Sequence, residues 1–344
     1  MTAEIARPGS EPARLRLSFL THLHVGRDAA ESYRIALEQF AAAEELGFDT
    51  GWVAQHHFHN GDGRLPSVLP FLAAAAERTR RIRLGTAVVV LPLEDPLRVA
   101  EDAAVVDAIS GGRLELGLGT GSDPLTFAAF GRDPDDRHRR FGEGLDVLTG
   151  ALGGRSINGT EALLYPPAPG LLDRLWTSTL SPEGGSRIGR AGAGLLLART
   201  AFLSSEPTDV NQRPVALAYL AERAARPGPA RIGLSRCVYP AADRRTAMAD
   251  MAEGVAAYVD SMVHRGHFPA GLDQEAAFRR SHIHCGSPDE VAASLRADRV
   301  LDLSTELICQ VHPGRLTAGQ VLRAMELIAC EVAPQLGWRP LVAG

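Results

Sequence analysis

Residues 82–118 read IRLGTAVVVLPLEDPLRVAEDAAVVDAISGGRLELGL, and the fold is decided in this stretch. Ile82 to Val90 is an apolar, valine-rich run, suited to a strand of a parallel sheet buried on both faces. Pro92 and Pro96 end it, and Pro96 stands well at the first position of a helix. Leu97 to Ile109 carries that helix, Gly111-Gly112 turns the chain, and Arg113 to Leu118 is strand again. Strand, helix and strand in direct succession form a βαβ unit.

The alternation extends both ways. Upstream, Leu15 to Thr21 is a strand, Ala29 to Leu46 a helix stopped by Gly47, Gly51 to Ala54 a short strand and Val68 to Arg78 an alanine-rich helix. Downstream come helix Arg137 to Leu152, strand Leu175 to Ser178, helix Pro182 to Ala191, strand Leu195 to Arg199 and helix Asp209 to Ala225. Strand Arg231 to Tyr239, helix Ala241 to Arg265, a helix capped at Ser287 with Glu290, strand Glu306 to Val311 and helix Thr317 to Gln335 complete the series. Eight strands alternating with helices predict an α/β fold, a (β/α)8 TIM barrel with insertion segments at 155–173 and 265–286. A doubly wound open sheet has similar local signals and is the alternative. No low-complexity linker divides the chain, so we expect one domain over 15–340 behind a flexible segment, 1–14.

Composition narrows the function. The chain has 344 residues, net charge −5 and 45% hydrophobic residues, ordinary for a soluble globular protein, with no basic excess for nucleic acid. No apolar run approaches a membrane span and no secretory h-region opens the chain, so a cytoplasmic protein is expected. All 36 basic residues are arginine. The absence of lysine excludes a Schiff base, a pyridoxal phosphate linkage and a Walker-A lysine. Cys237, Cys285, Cys309 and Cys330 form no C-x-x-C pair and read as reduced, mostly buried thiols.

In a barrel the active site lies at the C-terminal ends of the strands. Four clusters fall there. His56-His57-Phe58-His59 follows the second strand and offers acid–base groups near neutral pH. His22-x-His24 follows the first and suggests a metal pair, but strands five and six hold no histidine and no lysine can bridge, so no metal is expected. Gly117 to Ser122 ends the fourth strand, where glycines let a ligand approach the backbone. Thr179 to Ser186 stands before a helix N-terminus, a natural phosphate cradle that Arg137, Arg139 or Arg140 would complete. A surface histidine cluster, a tight turn and an ordinary helix cap account for the same residues without a ligand.

FLT (19–21), LGFDTGWVAQHHF (46–58), LGTAVVVLPLEDP (84–96) and DAISGGRLELGLGTG (107–121) together resemble the bacterial luciferase-like family of flavin-dependent monooxygenases. WTSTLSPEGG, AGAGLLLAR and CGSPDEVAASL continue the resemblance more loosely. The resemblance implies reduced FMN as cofactor, supplied by a separate flavin reductase, and O2 and a small organic molecule as substrates, with oxygen transfer through a flavin peroxide. It implies His56 and His57 as catalytic residues. It places Thr21, Ala87, Val88, Gly119, Thr120, Gly121, Arg137, Ser181, Gly184 and Gly185 at the flavin, with a cis peptide at Ala87–Val88 under the ring. A homodimer is implied as well. Gln55 replaces the family luciferases' acidic residue, and Gly119-Thr120 their cysteine and arginine, which argues against light emission. A deazaflavin-dependent hydride transferase of the same superfamily and a non-catalytic flavin-binding barrel are the competing readings.

Overall fold

The computed structural model describes residues 14–58, 63–201 and 206–340. Strands β1 (Arg16–Thr21), β2 (Thr50–Val53), β3 (Arg83–Thr86), β4 (Val89–Val90), β5 (Leu114–Gly119), β6 (Leu175–Ser178), β7 (Gly194–Leu197), β8 (Ile232–Pro240), β9 (Ile283–Gly286) and β10 (Glu306–Gln310) are all parallel. β10 pairs with both β1 and β8 and closes the barrel; β3 and β4 share one position in it, and β9 lies against the upper half of β8. Helices α1 (Ala29–Glu45), α2 (Val68–Arg78), α3 (Pro96–Ser110), α4 (Pro124–Ala129), α5 (Arg137–Leu152), α6 (Pro182–Ala191), α7 (Thr208–Arg223), α8 (Arg244–His264), α9 (Gln274–Arg280), α10 (Pro288–Arg296) and α11 (Ala318–Leu327) accompany it. The main apolar core lies between the barrel's outer face and these helices.

Inside the barrel, two indoles do most of the filling. Trp52 on β2 and Trp176 on β6 meet edge to face, with ring centroids 5.6 Å apart. Glycines make room for them: a Cβ at Gly85 would stand 2.2 Å from Trp52, and one at Gly194 2.3 Å from Trp176. Each indole N–H finds a buried carboxylate, Trp52 donating to Glu306 at 2.8 Å and Trp176 to Glu115 at 2.7 Å. Arg16 stands 3.4 Å from Glu306 and 3.6 Å from Glu115, Arg83 binds Glu115, and the Arg231 guanidinium lies 4.7 Å from the Trp176 ring centre. This ionic layer fills the N-terminal end of the barrel.

The sequence alternation survives with local departures. The predicted strand 82–90 is broken into β3 and β4. The segment 265–286, expected as an insertion, contains α9 and the ninth strand. The predicted final helix to Gln335 runs regularly to Leu327 and then widens into a π turn over Ile328–Val332. Of the segment 1–14 only Arg14 is described; its guanidinium pairs with Asp49, and the remainder lies outside the described residues. Among the described residues no helix is long and apolar enough to cross a membrane. Cys237, Cys285 and Cys309 are buried thiols and Cys330 is exposed.

The indole packing makes a stability test. Gly85→Ala drives a methyl into Trp52 and is expected to cost about 1–3 kcal/mol in urea denaturation. Gly142→Ala, on α5 with nothing within 4 Å of the added carbon, is expected to gain about 0.5–1 kcal/mol.

Candidate active site

Side chains alternate along a strand, so inward positions climb the barrel in steps of two. On β1 they are Ser18, Leu20 and then His22; on β10, Glu306, Ile308 and Gln310; on β2, Trp52, Ala54 and, beyond its end, His56. The top layer is therefore polar, above an apolar middle of Leu20, Ala54, Leu196 and Ile308.

One side of this layer is shaped by a bulge. Gly85 pairs with Glu115 and Val89 with Leu118, so four steps of the β3–β4 segment face three of β5. The extra residue falls at Thr86-Ala87-Val88, and the Ala87–Val88 peptide is cis, as the resemblance implied. Thr86 bridges the gap. Its hydroxyl donates to Gly117 O at 2.8 Å and accepts from Gly117 N at 2.9 Å. Alternate glycines on β5 and just beyond its end receive the bulge: a Cβ at Gly117 would meet Thr86 O at 2.0 Å, one at Gly119 Val88 at 2.4 Å, and one at Gly121, whose φ is +70°, Val90 at 2.5 Å. Gln55 clasps the segment, accepting from Val90 N at 2.7 Å and donating to Glu94 at 2.8 Å. Ala87 and Val88 are left half-buried, packed on the Trp52–Trp176 cluster.

Opposite this floor stands a rim of imidazoles. His22 Nδ1 lies 2.9 Å from His56 Nε2, and His22 Nε2 2.9 Å from Gln310 Oε1. His312 stacks on His24 with centroids 4.8 Å apart and lies 4.9 Å from His22. Burial, reinforced by the neighbouring imidazoles, pushes the pKa of His22 and His312 well below the usual histidine value. Arg199 completes this side, its guanidinium 4.7 Å from the Tyr258 ring centre.

The two adjacent histidines part company. His56 joins the rim, whereas His57 packs edge-on against Phe130 at 4.9 Å. Burial lowers the His57 pKa, with Glu94 pulling the other way. His59 lies outside the described residues.

The turn before α6 is a built helix start. Ser181 accepts from Gly184 N at 3.1 Å, and Gly184 is glycine because a Cβ there would fall 2.0 Å from Thr179 Oγ1. Gly185 has a separate packing reason, since its Cβ would meet Val215 O on α7 at 2.5 Å. Arg139 is held by Asp136 and Glu143 at the surface. Arg137 and Arg140 instead donate to the carbonyls of Pro134 at 2.8 Å and Pro92 at 3.0 Å, and among the described residues neither makes an ion pair. Thr21, Thr120 and Gly121 sit half-buried at the mouth.

Sequence reading missed a second buried centre. Arg236 and Asp298, both side chains fully buried, pair at 2.6 Å; His282 Nε2 lies 3.2 Å and His284 Nε2 3.9 Å from the same carboxylate. Among the described residues these two histidines and Asp298 are the one group with potential metal-ligand atoms all within 4.8 Å. The Arg236 guanidinium already balances the carboxylate, which disfavours a cation there. The signal was legible as His282-x-His284, a two-residue period just before a capped helix.

The half-buried floor and the polar rim lie at the C-terminal end of a (β/α)8 barrel, where enzymes of this fold place their active sites. The family model for luciferase-like monooxygenases matches residues 14–305, and the chain belongs to that family. It is 38% identical over 190 residues to 4-hydroxyprotoasukamycin monooxygenase of Streptomyces nodosus subsp. asukaensis, covering 52% of this chain and 51% of that one. It is 31% identical over 186 residues to an F420-dependent glucose-6-phosphate dehydrogenase of Beutenbergia cavernae, covering 48% and 55%. The chain thus spans about half the length of the curated relatives it matches. The oxygenating constituent of 3,6-diketocamphane monooxygenase from Pseudomonas putida, solved with FMN, superposes with a TM-score of 0.77 at 18% identity, covering 94% of this chain and all of that one, a likeness of fold.

The buried ion pair yields a test. Asp298→Asn is expected to cost about 3–5 kcal/mol at neutral pH, because Arg236 is left buried and unpaired. The Asp298 pKa is held far below the usual carboxylate value by His282 and Arg236 against the opposing cost of burial. Its stabilisation is therefore complete above about pH 4 and is lost as pH falls. The stability gap between wild type and variant should narrow in acid.

Proposed function

We propose that this chain is an FMN-dependent monooxygenase that uses reduced FMN and O2 to oxygenate a small organic molecule. The carrying observation is the Ala87–Val88 floor: a cis peptide of two half-buried apolar residues, received by the glycines of β5 and next to the strand that leads to His56. A planar tricyclic ring fits such a bed. A phosphate would be received at the α6 start by the Ser181 hydroxyl, with Gly184 and Gly185 shaping the turn behind it and Arg137 supplying charge. Thr21, Gly119, Thr120 and Gly121 would make the remaining contacts to the cofactor.

When bound, the reduced cofactor supplies the two electrons that activate O2. The chain's own residues do the rest. His56 holds a proton at its imidazole over the floor and donates it where oxygen becomes charged. His57, on the other side of the loop, is second in rank as a catalytic group. Leu20, Ala54, Leu196 and Ile308 form an apolar layer against which Ala87 and Val88 pack, and they would exclude water from a ring bound there. The chain has no dinucleotide fingerprint, which supports a separate reductase delivering reduced FMN. Exposed Val105 and Ile109, one turn apart on α3, support a homodimer, and a cytoplasmic location fits the free thiols. The likeness to an F420-dependent dehydrogenase favours a second reading, in which the same bed holds F420 and the reaction is hydride transfer.

The test compares wild type and His56→Ala, each loaded with reduced FMN without oxygen and then mixed with oxygen. Both should bind reduced FMN similarly, because the phosphate contacts lie on other loops. The variant should release hydrogen peroxide in place of oxygenated product, its coupled turnover falling on the order of 10²-fold. Equal release rates would remove His56 from the chemistry.

A further inference from the structure

Among the described residues three arginines are almost wholly buried: Arg199, Arg223 and Arg236, with 9%, 6% and 0% of their surface exposed. A guanidinium at such depth is costly unless something balances its charge. Arg236 has the Asp298 carboxylate at 2.6 Å. Arg223 donates to the carbonyls of Arg226 and Pro227 at 2.9 and 2.7 Å, just past the C-terminal end of α7, where the helix dipole is negative. Arg199 has no such balance. Among the described residues no carboxylate pairs with it, and its one hydrogen bond runs from Nη1 to Ser281 O at 3.3 Å. Its other contact is the Tyr258 ring, whose centre lies 4.7 Å from the guanidinium carbon. The rest of its N–H donors are unused.

Arg199 follows β7 at the C-terminal end of the barrel. Ala198, next to it, continues the inward phase of Leu196 and is exposed, so solvent reaches the mouth at this point. The titratable groups that feel the Arg199 charge bring no anion. His22 and His312 stay neutral near pH 7, chiefly because they are buried, and Arg199 acts in the same direction. Cys237 stays a thiol, since burial pushes its pKa up to about 12 against the pull of Arg199. The surroundings are aromatic as well: the Tyr258 ring lies 5.9 Å from His312 and 6.1 Å from Phe268.

We propose that Arg199 binds the carboxylate of the organic substrate, which makes the substrate a small carboxylic acid with an apolar or aromatic body. The planar guanidinium fork matches the two oxygens of a carboxylate, and a fork lying over an aromatic ring keeps a fixed orientation. The chain supplies a counter-charge to Arg236 and leaves that of Arg199 to a ligand. This rests on the reading of the barrel mouth as the substrate site and adds the group that the site recognises.

The probes are benzoate and its neutral isostere benzamide, titrated into the full chain with and without FMN. Binding is followed by calorimetry and by the ¹H–¹⁵N signals of arginine Nε in ¹⁵N-arginine protein, with Arg199 assigned from Arg199→Gln. Benzoate should bind at one saturable site and shift the Arg199 signal. Benzamide should bind on the order of 10- to 100-fold more weakly, and Arg199→Gln should lose a similar factor for benzoate and nothing for benzamide. Arg199→Lys keeps the charge without the fork and should fall between; it also assigns the signal if the Gln variant does not fold. Benzamide binding equal to benzoate, no saturable benzoate binding, or benzoate binding unchanged in the folded variant overturns the proposal. Arg199→Gln should still bind reduced FMN as wild type does; loss of FMN with benzoate binding retained would assign the anion to the cofactor and overturn it too. A wild type that takes benzoate at Arg199 but no reduced FMN keeps the anion site and removes the FMN reading. One that takes reduced FMN but no benzoate does the reverse.

Discussion

The interlock of two indoles with facing glycines inside the barrel is the constraint on which the remaining structure depends. Trp52 and Trp176 occupy the interior because Gly85 and Gly194 vacate it, and their N–H groups draw Glu306 and Glu115 into the same layer. Those carboxylates in turn hold Arg16, Arg83 and Arg231 at the lower rim. One end of the barrel is thereby filled and ionic. With the lower layers fixed, the two-residue period of the strands assigns the top layer, and His22, His56 and Gln310 arrive there together.

The bulge between β3 and β4 works against that regular frame. A strand continuing in register would have raised another apolar side chain from the wall. The extra residue instead lays Ala87 and Val88 flat, and Gly117, Gly119 and Gly121 accept them at distances where any Cβ would collide. The glycine run that reads as a tight turn in sequence is thus a packing requirement first. Its consequence is a half-buried apolar surface at the C-terminal end of the barrel.

Much of the fold was legible because period and punctuation are local signals. The stretch 82–118 gave strand, helix and strand, and Asp95, Pro96 and Gly111 do cap and end α3. The break at residue 87 was not visible in apolar periodicity and came only through the family resemblance. His56 and His57 were taken together, since adjacency in sequence says nothing about which side each ring takes. Gln310 carried no signal toward His22, because their link is made by barrel closure across 288 residues of chain. The Arg236–Asp298–His282 centre was hidden for the same reason, its members lying on β8, after α10 and before β9.

The account's central claim is that the Ala87–Val88 floor is the bed of a flavin ring whose single phosphate lies at the α6 start. Anaerobic titration of the protein with reduced FMN, oxidised FMN and F420, followed by quenching of tryptophan emission and by calorimetry, tests it most directly. The account predicts one saturable site per chain that binds reduced FMN more tightly than oxidised FMN, and either more tightly than F420. Preference for F420, or no saturable binding of reduced FMN, would contradict it.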